Sequence, residues 1–197
     1  MRSGFAPTRF LQMLPQALLS AAFCIAPALA AAQASATDHA HNLAGAETPL
    51  STAAIVAGIL NYTAWPGPSR GLTVCISRSS RDAPDLAQQL EQTKTRHQLL
   101  LTRIEANTPL PESCDLVYFD GWSAPAARMA LRKLDHKPVL TIGHEPEFCS
   151  DGGLFCLSKA GSSTRFEVNL DAVTRSGLRV NAQVLRLAKP RGQVSKS

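Results

Sequence analysis

Short strand-like runs alternate with helical segments through the middle of the chain, and this alternation constrains the fold more than any other feature. Four runs have the length and composition of buried strands: 71–77, 98–104, 115–119 and 139–142. A helical pattern at 85–92 separates the first run from the second, and another at 124–134 separates the third from the fourth. Because parallel strands need such crossovers, the sequence predicts an α/β fold, a single domain with a mostly parallel central sheet flanked by helices on both faces.

Other patterns occur on either side of this alternation. A helix with one buried face is predicted from an N-cap at Thr48-Pro49 to the stop at Pro66. After the last parallel strand, Gly152-Gly153 separates two short apolar runs, and residues 164–170 alternate apolar with polar side chains. We therefore expect a C-terminal antiparallel hairpin, with the Gly-Gly pair as a turn. A helical turn at 171–175 and a terminal helix at 181–187 complete the domain.

The first thirty residues are typical of a secretory signal peptide. Arg2 and Arg9 precede an apolar stretch that ends in small residues near Ala30. The alternative, a membrane-spanning helix, needs about 20 apolar residues, and Pro27 interrupts a shorter stretch here. The predicted organisation is a signal peptide at 1–30, a disordered spacer at 31–46, a folded domain at 47–188 and a flexible tail at 189–197.

Of the five cysteines, Cys24 leaves with the signal peptide, so four remain in an oxidising compartment. Cys75 lies on the first strand and Cys114 at the mouth of the third, while Cys149 and Cys156 flank the Gly-Gly pair. Among the three ways of pairing four cysteines, we expect Cys75 with Cys114 and Cys149 with Cys156. A zinc site is the rival use, but neither CxxC-like spacing nor a helical His pair is present, and we expect no metal.

The sequence does not point to an enzyme. It contains no GxSxG, no P-loop and no GxGxxG after a strand, and no free thiol remains if both disulfides form. His144 begins the segment HEPE, which lacks the second His of a zinc helix and contains a proline. Asp115 and Asp120 bracket a strand whose carboxyl end can face a cleft, but helix capping and turn formation explain them better. We therefore expect no catalytic residue and no cofactor.

Binding fits better than catalysis. The 20 Lys and Arg residues are spread thinly against 15 Asp and Glu, which argues against nucleic acid as a partner. Arg165 and Glu167 lie on the polar side of one predicted strand, and Arg179 follows shortly after. A solvated strand face carrying Arg and Glu neighbours is the first interpretation, and the alternative is a small anionic or amino-acid-like ligand held by the two guanidiniums. On the first helix, Ile55 and Ile59, together with Trp65 beyond it, are candidates for a dimer interface.

The mature chain resembles the YfiR family of secreted bacterial proteins. The resemblance runs from about residue 51 to 188, and these segments carry it in order: ILNYTAWP, LTVCIS, SCDLVYF, PVLTIG, FCSDGGLFCL and TRFEVNLDAVTRSGLRVNAQVLRLA. The last segment, with RFEVNLDAV and SGLRV, is the most specific. The family's two disulfides look as though they fall on the cysteine pairs expected above.

The resemblance implies a periplasmic regulator rather than a catalyst. In the family's namesake system, a homodimer represses an inner-membrane diguanylate cyclase through the cyclase's periplasmic sensor portion. An outer-membrane lipoprotein with a peptidoglycan-binding domain relieves the repression, so that cyclic di-GMP and biofilm formation are controlled. An alternative stays open: a periplasmic small-ligand-binding protein that acts on a different membrane sensor, such as a histidine kinase.

The resemblance also implies that small molecules are held near the terminal strand and helix. Arg165, Glu167 and Arg179 become ligand-binding candidates by position. Asn181 stands where the resemblance leads us to expect a histidine, so it joins the set as the position most apt to change ligand choice.

Overall fold

The computed structural model describes residues 49–188, apart from residues 145 and 162. The predicted signal peptide, spacer and tail lie outside this range. The helices are α1 Thr52–Asn61, α2 Ala83–Gln92, α3 Ala124–Leu134, α4 Pro146–Ser150, α5 Leu170–Ser176 and a terminal 3₁₀ helix Ala182–Ala188. The strands are β1 Thr63–Ala64, β2 Leu72–Ser77, β3 Leu99–Ile104, β4 Leu116–Phe119, β5 Leu140–His144, β6 Phe155–Ala160, β7 Ser163–Val168 and β8 Arg179–Val180.

In the described part of the chain, six strands form the main sheet in the order β3-β2-β4-β5-β6-β7. Strands β2 to β6 run parallel to their neighbours, and β7 pairs antiparallel with β6. If the parallel strands are numbered by their order in the chain, their spatial order is 2-1-3-4-5. This is a doubly wound sheet, in which the connection from β3 to β4 crosses back over β2 and places the switch point between β2 and β4. The predicted α/β class, with its parallel sheet and C-terminal antiparallel pair, is confirmed.

Each face of the sheet carries its own apolar core. On one face α1 and α2 pack against a cluster that includes Tyr118 and Phe155, both fully buried. On the other face α3 and α4 pack against Val117, Phe119 and the Cys75–Cys114 region. Because β4 is buried on both faces, its segment is a continuous apolar run rather than an alternating one.

Both predicted disulfides are present. Cys75 on β2 bonds to Cys114, immediately before β4, with 5.8 Å between the Cα atoms. Cys149 on α4 bonds to Cys156 on β6, with 5.7 Å between the Cα atoms. The first ties neighbouring parallel strands together inside the core, and the second fastens a short surface helix to the sheet.

The placement of the Gly-Gly turn was wrong. Gly152-Gly153 does not join two strands, because Pro146–Ser150 forms the helix α4, and the hairpin is made by β6 and β7. Proline at the first helical position followed by Glu147 favours a helix start there. The second disulfide therefore joins a helix to a strand instead of spanning a hairpin.

The amino end of α1 begins three residues later than the sequence indicated. Ser51 is the N-cap, and its Oγ accepts a hydrogen bond from the amide of Ala54. Most residues of the helix are buried, and the terminal 3₁₀ helix packs against it. At Gly58 a Cβ atom would lie 2.6 Å from Leu187, so the small residue permits this close approach.

At the amino ends of the strands, Asp115 is fully engaged by its own chain. Its carboxylate accepts hydrogen bonds from both terminal nitrogens of Arg70 and from the amide of Thr73. Trp65 Nε1 donates to the Asp115 carbonyl at 3.3 Å. This ion pair ties the residue before β4 to the segment before β2 at the amino edge of the sheet.

Candidate functional cleft

A cleft of about 930 Å³ opens at the carboxyl ends of the parallel strands β2, β4, β5 and β6. Its lining includes the loop that follows β2, at Arg81 and Asp82, and the loop that follows β4, at Asp120 to Trp122. These two loops flank the switch point of the sheet. Ligands of doubly wound sheets bind at this position because the loops diverge there and leave a crevice.

Asp120 anchors one side of the cleft floor. It is 8% exposed, and its Oδ2 accepts hydrogen bonds from Ser80 Oγ at 2.8 Å and from the amide of Arg81 at 2.7 Å. Burial acts to raise the pKa of this carboxyl, but hydrogen bonds from Ser80 and from the amides of Arg81 and Asp82 outweigh it and lower the pKa. The carboxylate therefore stays ionised and holds the loop after β2 in place.

A glycine lets the two loops approach each other. Gly121 has a φ of +79°, and a Cβ there would lie 2.8 Å from the carbonyl oxygen of Ser79. Ser79 Oγ donates a hydrogen bond to the Gly121 carbonyl at 3.2 Å. A larger residue would combine backbone strain with a backbone clash, so the loops would separate.

Asp82, Tyr118 and His144 meet on the other side of the floor. The Tyr118 hydroxyl lies 2.5 Å from Asp82 Oδ2 and 2.7 Å from His144 Nε2, and the latter two atoms are 3.1 Å apart. Burial, with the hydrogen bond to Asp82 adding to it, raises the pKa of Tyr118 far above its ordinary value. The phenol therefore stays protonated and donates to Asp82. Because it has only one proton, Nε2 of His144 carries a proton of its own if all three contacts are hydrogen bonds.

Aromatic side chains form the opposite wall. The Phe119 ring lies 5.0 Å from the Trp122 ring and 5.2 Å from the Phe148 ring, between centroids. Phe148 reaches this wall because α4 lies close to two glycines. A Cβ at Gly143 would be 2.7 Å from the ring, and one at Gly153 would be 2.2 Å from it. The Cys149–Cys156 bond holds α4, and with it Phe148, in this position.

The remaining charges lie at the rim. Arg128 Nε pairs with Asp151 Oδ1 at 2.8 Å across α3 and the turn after α4. Arg81 and Lys159 line the cleft with exposed side chains. The rim cations are therefore either neutralised or in water, whereas the carboxylates of the floor are partly or fully shielded from it.

The cleft is better arranged for binding than for covalent chemistry. Among the described residues, the hydroxyl that bonds to His144 is the Tyr118 phenol, and its raised pKa makes it a poor nucleophile. The four cysteines of the described range are tied up in disulfides. Nowhere in that range do three or more His, Cys, Asp or Glu side chains gather as metal ligands.

The ligand residues predicted from sequence lie elsewhere. Arg165 and Glu167 are exposed on β7, and Arg179 is exposed on β8, which pairs with β1 in a separate two-stranded sheet. Asn181 caps the terminal 3₁₀ helix, since its Oδ1 accepts from the amide of Gln183 at 2.9 Å. None of these residues lines the cleft described above, and their role in ligand binding stays a prediction.

The residues predicted for a dimer interface are engaged within the chain. Ile55 and Ile59 are fully buried in the core beside α2, and Trp65 is half-buried against His97 with 5.9 Å between the rings. The predicted interface on the first helix stays a prediction, and a substitution at Ile59 would report on folding before it reported on dimerisation.

Sequence reasoning singled out Asp120 and His144 but did not bring them together. Asp120 does form the turn that capping logic suggested, and it also faces the cleft. Asp82 and Tyr118 were not singled out. The loops after β2 and after β4 both follow strands of a predicted parallel sheet, and the carboxyl ends of such strands share one edge. This shared position is the sequence signal that could have indicated the cleft.

Two further findings concern membrane-spanning segments and family membership. Within the described residues, no helix has the length and apolar character needed to cross a membrane. A family model described as YfiR/HmsC-like matches residues 51–189, which is most of the chain and nearly the whole described range. The chain belongs to the YfiR/HmsC-like family.

Proposed function

We propose that this protein is a periplasmic regulator that binds the periplasmic sensor portion of an inner-membrane diguanylate cyclase and represses the enzyme. The carrying observation is the family match over residues 51–189. Both disulfides support a periplasmic location, because structural disulfides persist in oxidising compartments. The cleft chemistry supports binding rather than catalysis, since its central hydroxyl belongs to a tyrosine with a raised pKa.

Repression would work by a shift in population. A regulator silences a sensor when it binds the inactive conformation more tightly than the active one, and a shift from 1:99 to 99:1 needs a difference of about 5.5 kcal/mol. A rigid, disulfide-bonded domain suits this role because it loses little conformational entropy on binding. The activity of the membrane cyclase then changes although the regulator itself carries out no reaction.

The proposed regulator acts as a homodimer, and an outer-membrane lipoprotein that binds peptidoglycan relieves the repression by capturing it. Both parts follow from the YfiR resemblance. In this arrangement the free regulator couples the cell envelope to cyclic di-GMP and biofilm formation.

A deletion strain tests the proposal in the cell. Removing the gene should raise cellular cyclic di-GMP and biofilm mass, and a plasmid copy should restore both. The matched control is a plasmid copy without residues 1–30, which should fail to complement because the protein would stay on the wrong side of the membrane. Unchanged cyclic di-GMP in a strain that keeps its native membrane cyclases would contradict the proposal.

The cleft favours a second candidate. A crevice of about 930 Å³ at the switch point is the usual place for a small ligand in such sheets. The protein would then be a periplasmic ligand-binding protein acting on another membrane sensor, such as a histidine kinase. Deletion would in that case alter the sensor's own output while cyclic di-GMP stays constant.

A further inference from the structure

We propose that the cleft at the carboxyl ends of β2, β4, β5 and β6 binds a small organic cation, an ammonium group carried on an apolar body. This site is distinct from the set Arg165, Glu167, Arg179 and Asn181. It also does not depend on which membrane sensor the protein controls.

The cavity itself provides the space and the walls. Its volume of about 930 Å³ lies in the range of small-molecule sites, about 300 to 1,000 Å³. Phe119 and Phe148 are 5% and 6% exposed, so the wall consists of well-packed rings rather than mobile side chains. An apolar ligand body would pack against the half-buried Trp122 ring, which the two phenylalanines support.

The charges of the floor decide the sign of the ligand. Asp120 is 8% exposed and the Asp82 side chain 24% exposed. In the described residues neither carboxylate is paired with Arg or Lys; their partners are Ser80, two backbone amides, Tyr118 and His144. Two shielded carboxylates without a strong cationic partner make the floor negative, and such a field is screened far less than one at the surface.

The hydrogen bonds leave acceptors available on the floor. All of the bonds just named end on Oδ2 of Asp82 or Asp120, so Oδ1 of each carboxylate is the atom left to accept from a ligand. An ammonium group has three donors and needs such acceptors. The half-buried Trp122 ring also lines the cleft, and an aromatic ring there favours the same charge through cation–π attraction.

The charged side chains at the rim of the cleft do not reverse this preference for a cationic ligand. Arg128 is paired with Asp151, and Arg81 and Lys159 are exposed to solvent. Exposed charges are screened within about 8 to 10 Å at ordinary ionic strength, whereas the floor carboxylates act at contact distance. An anionic ligand would have to displace water from the rim cations and approach one buried and one partly buried negative charge.

Three probes of one shape test the ligand class: phenethylammonium, uncharged 2-phenylethanol and phenylacetate. Each is titrated into the ¹⁵N-labelled mature protein purified from the periplasm. The chain has two tryptophans, so its indole N–H signals report two places at once. Trp122 lines the cleft, and Trp65 at the amino edge is the internal control; a Trp65→Phe variant assigns the signals.

Phenethylammonium should shift the Trp122 signal saturably and leave the Trp65 signal in place. We expect 2-phenylethanol to bind about tenfold more weakly, since it lacks the charge-assisted hydrogen bonds, and phenylacetate more weakly still. Equal or tighter binding of phenylacetate, a shift at Trp65 instead of Trp122, or no saturable shift with phenethylammonium would each overturn the proposal.

Asp82→Asn provides the second arm. It keeps the size of the side chain and should weaken phenethylammonium binding about tenfold, to the level of 2-phenylethanol. Glu167→Gln removes a carboxylate outside the cleft and should leave binding unchanged. A folded Asp82→Asn protein that binds phenethylammonium as well as the unmodified chain would refute the proposal. The probe series on the unmodified chain decides the question if that variant does not fold.

Discussion

Asp115 and Asp120 stand at opposite ends of β4, and the chain uses them differently. Asp115 at the amino edge is closed off by the guanidinium of Arg70 and by the neighbouring Cys75–Cys114 bond. Asp120 at the carboxyl edge is held by neutral donors and faces an open cleft. The same residue type therefore builds structure where its charge is neutralised and stays available to a ligand where it is not.

The largest test of this comparison is to remove each disulfide. Cys75→Ala with Cys114→Ala should lower the free energy of unfolding by about 4 kcal/mol, because the bond closes a loop of 39 residues. Cys149→Ala with Cys156→Ala should cost about 2.5 kcal/mol, since its loop spans 7 residues. Denaturant unfolding of the two double variants measures both values. Equal losses in the free energy of unfolding would contradict the proposed difference between the first disulfide, which stabilises the whole fold, and the second, which holds α4 at the cleft wall.

The next test exchanges the carboxylate at the amino edge. Asp115→Asn should lower the free energy of unfolding by about 2 kcal/mol, because a buried charge-assisted hydrogen-bond set to Arg70 and Thr73 is weakened. Binding of phenethylammonium, followed at the Trp122 indole, should not change. Weaker binding with unaltered stability would show that the amino edge also takes part in ligand recognition.

Substitution of Asp120 gives a pH-dependent test, and its expected loss in the free energy of unfolding is about half of that for Asp115→Asn. Its pKa is lowered in the folded chain, so its contribution is fully present above the ordinary value of 3.8 and disappears as the pH falls through the folded pKa. Near neutral pH, Asp120→Asn should cost about 1 kcal/mol. The difference from the unmodified protein should shrink below pH 3.8 in chemical unfolding series.

Asp171→Asn is the control for that series. Asp171 is exposed in the first turn of α5. Its variant should show no comparable dependence on pH. A gap for Asp120→Asn that stays constant down to pH 2 would contradict the role assigned to its carboxylate.

The smallest expected effect belongs to the exposed strand face. Arg165→Ala and Glu167→Gln should each change the free energy of unfolding by less than about 0.5 kcal/mol, because both side chains are exposed on β7. Cleft binding of phenethylammonium should also be unaffected. If either variant nevertheless abolished repression in the cell, this face would be a contact surface for the partner.

The sequence predicted four of the five parallel strands and both disulfides, but it did not predict that β6 pairs parallel with β5. Each parallel strand is a short apolar run bounded by turn residues, and the crossover helices at 83–92 and 124–134 fall close to their predicted positions. The cysteine pairing followed from where those strands place Cys75 and Cys114. The strands and helices are local features that periodicity reports directly, whereas the pairing of Cys75 with Cys114, 39 residues apart, rests on the expected arrangement of the strands.

The α4 region and the cleft were beyond that kind of reasoning. Phe148 and Cys149 were assigned to a hairpin strand, but residues 146–150 form a helix, and the Phe148 ring packs closely over Gly143 and Gly153. Asp82 and His144 are 62 residues apart and meet only through the order of the strands. Pattern alone gives no distance between such residues, so tertiary packing had to supply it.

The most direct test of the central claim is to reconstitute the repression. A candidate membrane diguanylate cyclase is placed in sealed vesicles with its sensor portion outside, GTP is enclosed, and the purified protein is added outside. The account predicts that the rate of cyclic di-GMP synthesis falls to a low plateau as the protein is added, and that protein unfolded by reduction has no effect. An unchanged rate at saturating protein, with every membrane cyclase of the cell tried in turn, would contradict it.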